Sequence, residues 1–413
     1  EKQPRNLIFI RPRRFGKSLF NSMMRAYYDK SKADRFDSLF GSLWIGSHPT
    51  PLRNHYQVLY LDFSRILGNI DVLEEKFNSY CCDQLNDFID IYRDDYPKER
   101  VDEFLRSDDH GQKLNLLLNM SRRYGQALYL IIDEYDNFTN VVLSEHGEEI
   151  YHNMTHASGF YREVFKKFKG MFERIFLTGV SPVTLDDLTS GFNIGWNVSM
   201  TPELDKMLGF STEDVRQMFT YYKEVGQLPA DCDIEAMITE MKPWYDNYCF
   251  AKECLENDVR VFNCDMVLYY LRNYVSYKRS PEVMLDPNTK NDYKKLNMLI
   301  QLDKLDGNRH GVMMEIIEKG EIAATLVPSF SANEMTAPET FPSLLFYYGM
   351  LTIKGTRGSR LILGIPNNNV RKQYYNYILN ELSRHSIVNI SRLRDYFDYM
   401  SFDGKWHEGF QYM

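Results

Sequence analysis

Gly16, Lys17 and Ser18 stand between two apolar runs: Leu7 to Ile10 before them, and Leu19, Phe20, Met23, Met24 and Tyr27 at helical spacing after them. A strand, a glycine turn, Lys-Ser and a helix are the context of a phosphate-binding P-loop. The unpaired N–H groups and the positive dipole end of such a helix bind phosphate oxygens. Lys17 is expected to reach the β- and γ-phosphates and Ser18 to ligate Mg²⁺. The candidate phosphate-binding residues are Arg13, Arg14, Phe15, Gly16, Lys17, Ser18 and Leu19. The usual first glycine is missing, because Arg11 occupies its place, and Pro12 has no N–H to donate. Arg11, Arg13 and Arg14 can replace the lost donors with charge. Alone, the same residues also read as a basic strand-to-helix turn with a coincidental Gly-Lys-Ser.

A second group decides between those readings. The apolar run from Ala127 to Ile132 ends in Asp133-Glu134. At that place in a P-loop protein the first acid holds Mg²⁺, and the second is placed to polarise the attacking water as general base. Asp133 and Ser18 are therefore the candidate metal ligands. A third apolar run, Arg174 to Leu177, ends in Thr178-Gly179. A polar residue there is expected near the γ-phosphate, so Glu134 and Thr178 are the candidate catalytic residues. Thr-Gly is also ordinary turn chemistry; its weight comes from the order of the three motifs. Arg13, Arg14 and Arg174 are candidates for a transition-state arginine.

The elements that must position these groups are legible as hydrophobic patterns. Strands are expected at 7–10, 56–62, 127–133, 174–181 and 197–200, with helical spacing over 70–93 and 114–124. The expected fold is α/β: a P-loop NTPase core with a parallel five-stranded sheet. At 413 residues, 44% of them apolar, the chain can bury two or three cores. Its net charge of −8 argues against a surface that grips nucleic acid everywhere, though not against a local basic patch. No apolar run reaches 18 residues and no signal-peptide pattern opens the chain, so no membrane partner and a cytoplasmic location are expected. The six cysteines lack the paired spacing of a zinc site and read as reduced thiols. His152 and His156 lack the Glu of an H-E-x-x-H motif. The chain begins almost on its first strand, so residues preceding it are expected.

The segments IRPRRFGKS, LIIDEYDN and FLTGVSP resemble the bacterial predicted AAA-ATPase-like family. Members of that family often carry a C-terminal nuclease-fold domain of the PD-(D/E)XK type. The resemblance continues through LGFSTEDV at 208–215, WYDNY at 244–248, VFN at 261–263 and LLFYYGMLT at 344–352, and covers roughly residues 5 to 372. It implies ATP and Mg²⁺ as ligands, and it accepts Arg11 as the family's form of the loop. Two departures stand out. No Asp followed by Glu-x-Lys occurs in 371–413, so no nuclease half is expected within these residues. Asn247 replaces a glycine, and asparagine tolerates a left-handed backbone.

The expected organisation is a P-loop ATPase core at 1–204, a helical lid at 205–290, a winged-helix-like module at 291–370 and a helical linker at 371–413 leading toward an absent domain. In the lid, Ser211 or Thr212 is expected to cap a helix, with further helices at 231–241 and 265–274. The module is read as helices at 292–304, 310–319 and 340–348, followed by a hairpin at 350–354 and 360–365. Lys354, Arg357 and Arg360 charge the hairpin tip. Thr289 to Asp292 spell a GTPase base-reading tetrapeptide but follow no apolar strand, which favours ATP over GTP. The expected function is Mg²⁺-dependent ATP hydrolysis coupled to conformational change, with control of a fused nuclease-like domain in prospect. The alternatives are a nucleotide switch with little hydrolysis and a DNA-binding module acting through the wing. A protein partner or a second copy of the chain remains open.

Overall fold

The computed structural model describes residues 1–66, 69–155, 159–183, 195–257, 259–286, 308–332, 334, 337, 339–385 and 389–412. Its apolar runs form one parallel sheet, buried because crossover helices cover its faces. The strands are β1 (Asn6–Ile10), β2 (Gln57–Asp62), β3 (Leu128–Asp133), β4 (Arg174–Gly179) and the short β5 (Trp196–Asn197). Their order is β2-β3-β4-β1-β5, and every pair is parallel. β4 thus lies between the strand that feeds the loop and the strand that ends in Asp-Glu. The register sets Phe9 opposite Thr178 and Asp62 opposite Asp133, so the expected site residues share the C-terminal edge. In open α/β sheets that edge is where ligands bind.

α1 (Lys17–Tyr28) follows β1, and α2 (Phe36–Phe40) and α3 (Trp44–Ser47) precede β2. α4 (Leu73–Ile91), α5 (Lys98–Leu105) and α6 (His110–Arg123) join β2 to β3. α7 (Asn137–His146), α8 (Glu148–Thr155) and α9 (Phe160–Phe168) join β3 to β4. Sequence reading assigns no element to residues 137–168. Their buried faces mix aliphatic and aromatic side chains, Val142, Leu143, Tyr151, Tyr161 and Phe165 among them.

α10 (Thr212–Glu224), α11 (Ile234–Tyr245) and α12 (Cys264–Tyr277) share their own core around Phe219, Met241, Tyr245 and Tyr270. Ser211 and Asp214 form a reciprocal capping box at the start of α10. Asn247 has φ 80°, the left-handed conformation anticipated there. α13 (Asn308–Lys319), α14 (Phe341–Tyr347) and a three-stranded antiparallel sheet follow. That sheet has the order β6-β8-β7, from β6 (Glu321–Ala324), β7 (Thr352–Arg357) and β8 (Arg360–Gly364). The hairpin lies where expected; β6, unpredicted, extends it. The helix expected at 292–304 and the tetrapeptide at 289–292 lie outside the described residues. Phe341, Leu344, Leu345 and Leu363 pack in one continuous cluster with the parallel sheet. α15 (Asn368–His385), α16 (Ile390–Asp403) and α17 (Trp406–Tyr412) complete the chain.

Among the described residues no helix is long and apolar enough to cross a membrane. All six cysteines are free thiols, five of them buried.

Candidate functional site

The loop from Arg11 to Gly16 is held from three sides. Phe15 is fully buried, its ring edge-on to Tyr248 at 5.0 Å and to Phe250 at 5.6 Å. Gly16 has φ 95°, a left-handed turn that aims α1 back across the loop and that a side chain would strain. Three successive loop carbonyls are engaged by three successive residues at the start of α12. The Asn263 amide donates to Arg13 O at 3.3 Å, the Cys264 thiol to Phe15 O at 3.4 Å and the Asp265 N–H to Arg14 O at 3.3 Å. Arg14, at φ 66°, also pairs with the Asp265 carboxylate.

Lys17 is 5% exposed, and its ammonium donates to Arg11 O and Pro12 O, both at 3.0 Å. Burial pulls its pKa below the usual lysine value, against the attraction of Glu134, Asp133 and Asp136. No side chain caps α1 at Gly16. Its first N–H groups therefore have no intrahelical partner, which is a natural arrangement for phosphate oxygens. Ser18 and Leu19 are exposed at this end.

Arg11 departs from the role expected of it. It is 1% exposed and turns away from the loop, donating to Ile10 O, to Ser199 O at 2.6 Å and to Leu204 O at 3.1 Å. Its guanidinium lies between the rings of Phe9 and Phe250, 4.3 and 4.1 Å from their centres. It cannot supply charge to a phosphate, because burying its side chain against the core requires the opposite direction. Arg174 is corrected as well. It opens β4, with its Nε donating to the Tyr56 hydroxyl, whereas the loop meets the far end of that strand. Five residues of strand, about 16 Å, separate the two ends.

The acidic side is tied together by one hydrogen-bond chain. The buried Asn21 amide donates to the Thr178 hydroxyl at 2.7 Å, which donates to Asp133 Oδ1 at 2.7 Å. The Glu134 N–H reaches the same oxygen at 3.0 Å. Asp133 Oδ2 receives only a long bond, 3.3 Å, from the Tyr60 hydroxyl, which leaves it able to face a cation. That oxygen and the exposed Ser18 hydroxyl fit the few-ligand, water-rich shell that Mg²⁺ prefers. Among the described residues no cluster of three or more His, Cys, Asp or Glu forms a self-sufficient metal site.

Glu134 adopts φ 51°. Such a conformation costs a non-glycine residue of order 1–3 kcal/mol and concentrates at functional sites. Burial pushes its carboxyl up, opposed first by Lys17. Asp136 is buried and accepts from the N–H of Val180 and, at 2.6 Å, of Ser181, which fixes the turn after Thr178. Gly179 lies under this turn: a Cβ there would stand 2.4 Å from the Tyr135 ring and 2.5 Å from the Asp136 carboxylate. Gly179→Ala is therefore expected to cost about 1–3 kcal/mol, read as a lower urea midpoint.

A cleft of about 380 Å³ opens between these groups, lined by Arg13, Arg14, Ser18, Asp62, Ser64, Glu134 and Asn137. Asn21, Asp62 and Asp136 were not among the candidates. Asn21 was visible only as a polar residue inside an otherwise apolar helix face. Asp62 was visible as the acid ending a strand, without a reason to point here.

Residues 1–189 match the family model described as Predicted AAA-ATPase. These residues, fewer than half of the chain, are similar to that family. No curated protein matches the chain. The matched AAA-ATPase-like segment contains the loop, the Asp-Glu pair and Thr178, while the α12 residues that engage the loop lie beyond it.

Proposed function

We propose that the chain binds ATP and hydrolyses it with Mg²⁺, and that the cycle is coupled to movement of the α10–α12 helices. The observation that carries this reading is an open cleft lined by Ser18 and Glu134, beside the buried Lys17 that Glu134 and Asp133 attract. Lys17 and the N–H groups of Gly16 to Leu19 bind the phosphates, with Arg13 and Arg14 at the rim. Ser18 and Asp133 hold Mg²⁺, which when bound neutralises charge on the β- and γ-phosphates. Glu134 takes the proton of the attacking water. Thr178 positions Asp133 and responds to loss of the γ-phosphate through that carboxylate. The bonds from residues 263–265 to the loop carbonyls support the coupling, since any shift of the loop pulls on the start of α12. Control of a nuclease-like domain rests on the family resemblance alone. A second reading, duplex binding through the hairpin, is favoured by the exposed Arg357 and Arg360 at its tip, with the exposed Lys354 nearer its base.

The test is ATP binding and phosphate release by the purified chain beside Lys17→Ala. Loss of charge-assisted bonds to phosphate is expected to weaken binding about 10- to 100-fold. Equal affinity in the variant would remove Lys17 from the site. The wild-type rate is expected to be bell-shaped in pH. Glu134 must be ionised and its pKa is raised, so the acid limb lies above the ordinary carboxylate range. Lys17 must be charged and its pKa is lowered, so the alkaline limb lies below the ordinary lysine range. A rate that is flat from pH 5 to 10, about the span between free carboxylates and free lysine, would contradict both assignments.

A further inference from the structure

A second cavity, of about 610 Å³, lies on the open edge of β2, walled by α1 on one side and α4 on the other. β2 is the edge strand of the parallel sheet. Alternate N–H groups of a strand point to opposite sides. The Gln57 N–H goes to Ala127 O on the β3 side, so those of Val58, Tyr60 and Asp62 face the edge. Tyrosine hydroxyls take the outer two: Tyr92 accepts from Val58 at 2.9 Å and Tyr80 from Asp62 at 2.6 Å. Among the described residues none takes the Tyr60 N–H.

Arg25 reaches the same space from α1. Its guanidinium lies 5.7 Å from the centre of the Tyr60 ring, and its Nε is buried without a hydrogen-bond partner. Among the described residues it forms no ion pair. Two unpartnered donors, one of them cationic, therefore meet in a space of the size that holds small molecules. A buried donor such as the Arg25 Nε is normally satisfied, so a ligand acceptor is the economical explanation. The α4 wall is acidic, with Asp87 and Asp90 beside Gln84, and the other cation in the lining, Arg65, is already paired with Asp62 at 3.2 Å. A phosphate would satisfy Arg25 but face those carboxylates. A molecule with a carboxylate and an ammonium a few atoms apart matches both walls.

We propose that this cavity binds a small zwitterion of the α-amino-acid class, its carboxylate on Arg25 and the Tyr60 N–H and its ammonium toward Asp87. The ring of Tyr60 and the buried Phe88 leave room and apolar surface for its side chain. Its lining shares only Asp62 with that of the nucleotide cleft, and the Tyr60 hydroxyl reaches Asp133 on the other side.

The test is calorimetric titration of the full chain, without nucleotide, with each of the twenty amino acids as probe and with acetate and inorganic phosphate beside them. The nucleotide reading can fail without touching the result. At least one amino acid is expected to bind saturably, more tightly than acetate or phosphate. Arg25→Gln is expected to weaken it about tenfold or more, since it removes a charge-assisted bond. Gln84→Trp, placed to fill the cavity from a half-buried position, is expected to abolish it, and the exposed Asp87→Asn to weaken it without threatening the fold. ATP affinity in Arg25→Gln should equal that of wild type. The proposal is overturned if no amino acid binds, if phosphate displaces the bound amino acid, or if binding is unchanged in Asp87→Asn and Gln84→Trp.

Discussion

Glu134→Gln is expected to keep ATP affinity within about twofold of wild type and to lower turnover by about 10²- to 10⁴-fold, the usual worth of a positioned general base. The substitution is nearly isosteric. It leaves the φ 51° backbone and the N–H bond from residue 134 to Asp133 in place. It removes only the basic oxygen, and with it the attraction that opposes the lowered pKa of Lys17. The measurement is a pair: nucleotide affinity at equilibrium and phosphate release in single turnover. Retained turnover would place the base elsewhere, and Asp62, on the wall of the same cleft, would be the next residue to test. Loss of affinity together with turnover would make Glu134 a residue that supports the loop.

Arg11→Gly restores the glycine of the common P-loop pattern, and the expected result is a loss. The variant is expected to be less stable by about 3–5 kcal/mol, from breaking a buried charged network and leaving a cavity. Ser199 O and Leu204 O lose their donor, and the space between Phe9 and Phe250 empties. Burial holds the guanidinium pKa down to about 9, against the attraction of Asp205, so the side chain is still charged at neutral pH and its charge is buried among carbonyls and rings. Nucleotide affinity is expected to fall or stay level, because the guanidinium never faces the phosphates. Arg11→Lys should recover little, since an ammonium lacks the planar fork that reaches several carbonyls at once. Urea unfolding followed by nucleotide titration checks both parts. An Arg11→Gly chain of wild-type stability that binds ATP more tightly would show that the arginine merely blocks the loop.

These two residues mark the boundary between what was legible in the sequence and what was not. Glu134 is readable because its neighbours in the chain announce it: an apolar strand must end, and its first residues past the sheet are the ones that meet a ligand. Arg11 is not readable. Its position in the motif suggested a phosphate partner, yet its Nη1 and Nη2 groups found the carbonyls of Ser199, Leu204 and Asp205, 188 to 194 residues away. Thr178 falls between the two. Its strand and its place beside Asp133 followed from the order of motifs, but its hydroxyl is taken by that carboxylate on one side and Asn21 on the other.

The sequence by itself determined the strands of the sheet, the Gly-Lys-Ser turn and the Asp-Glu pair, along with the capped helix that begins after Ser211. These depend on period, on turn chemistry and on residues adjacent in the chain, so local physics suffices. Only the tertiary structure decided that Arg11 is a brace inside the core and that residues 263–265 grip the loop. It alone revealed the cavity between Arg25 and the edge of β2. Each of these depends on groups far apart in sequence meeting in space, where burial favours paired donors and acceptors, and hydrophobic period carries no information about which partner each will take.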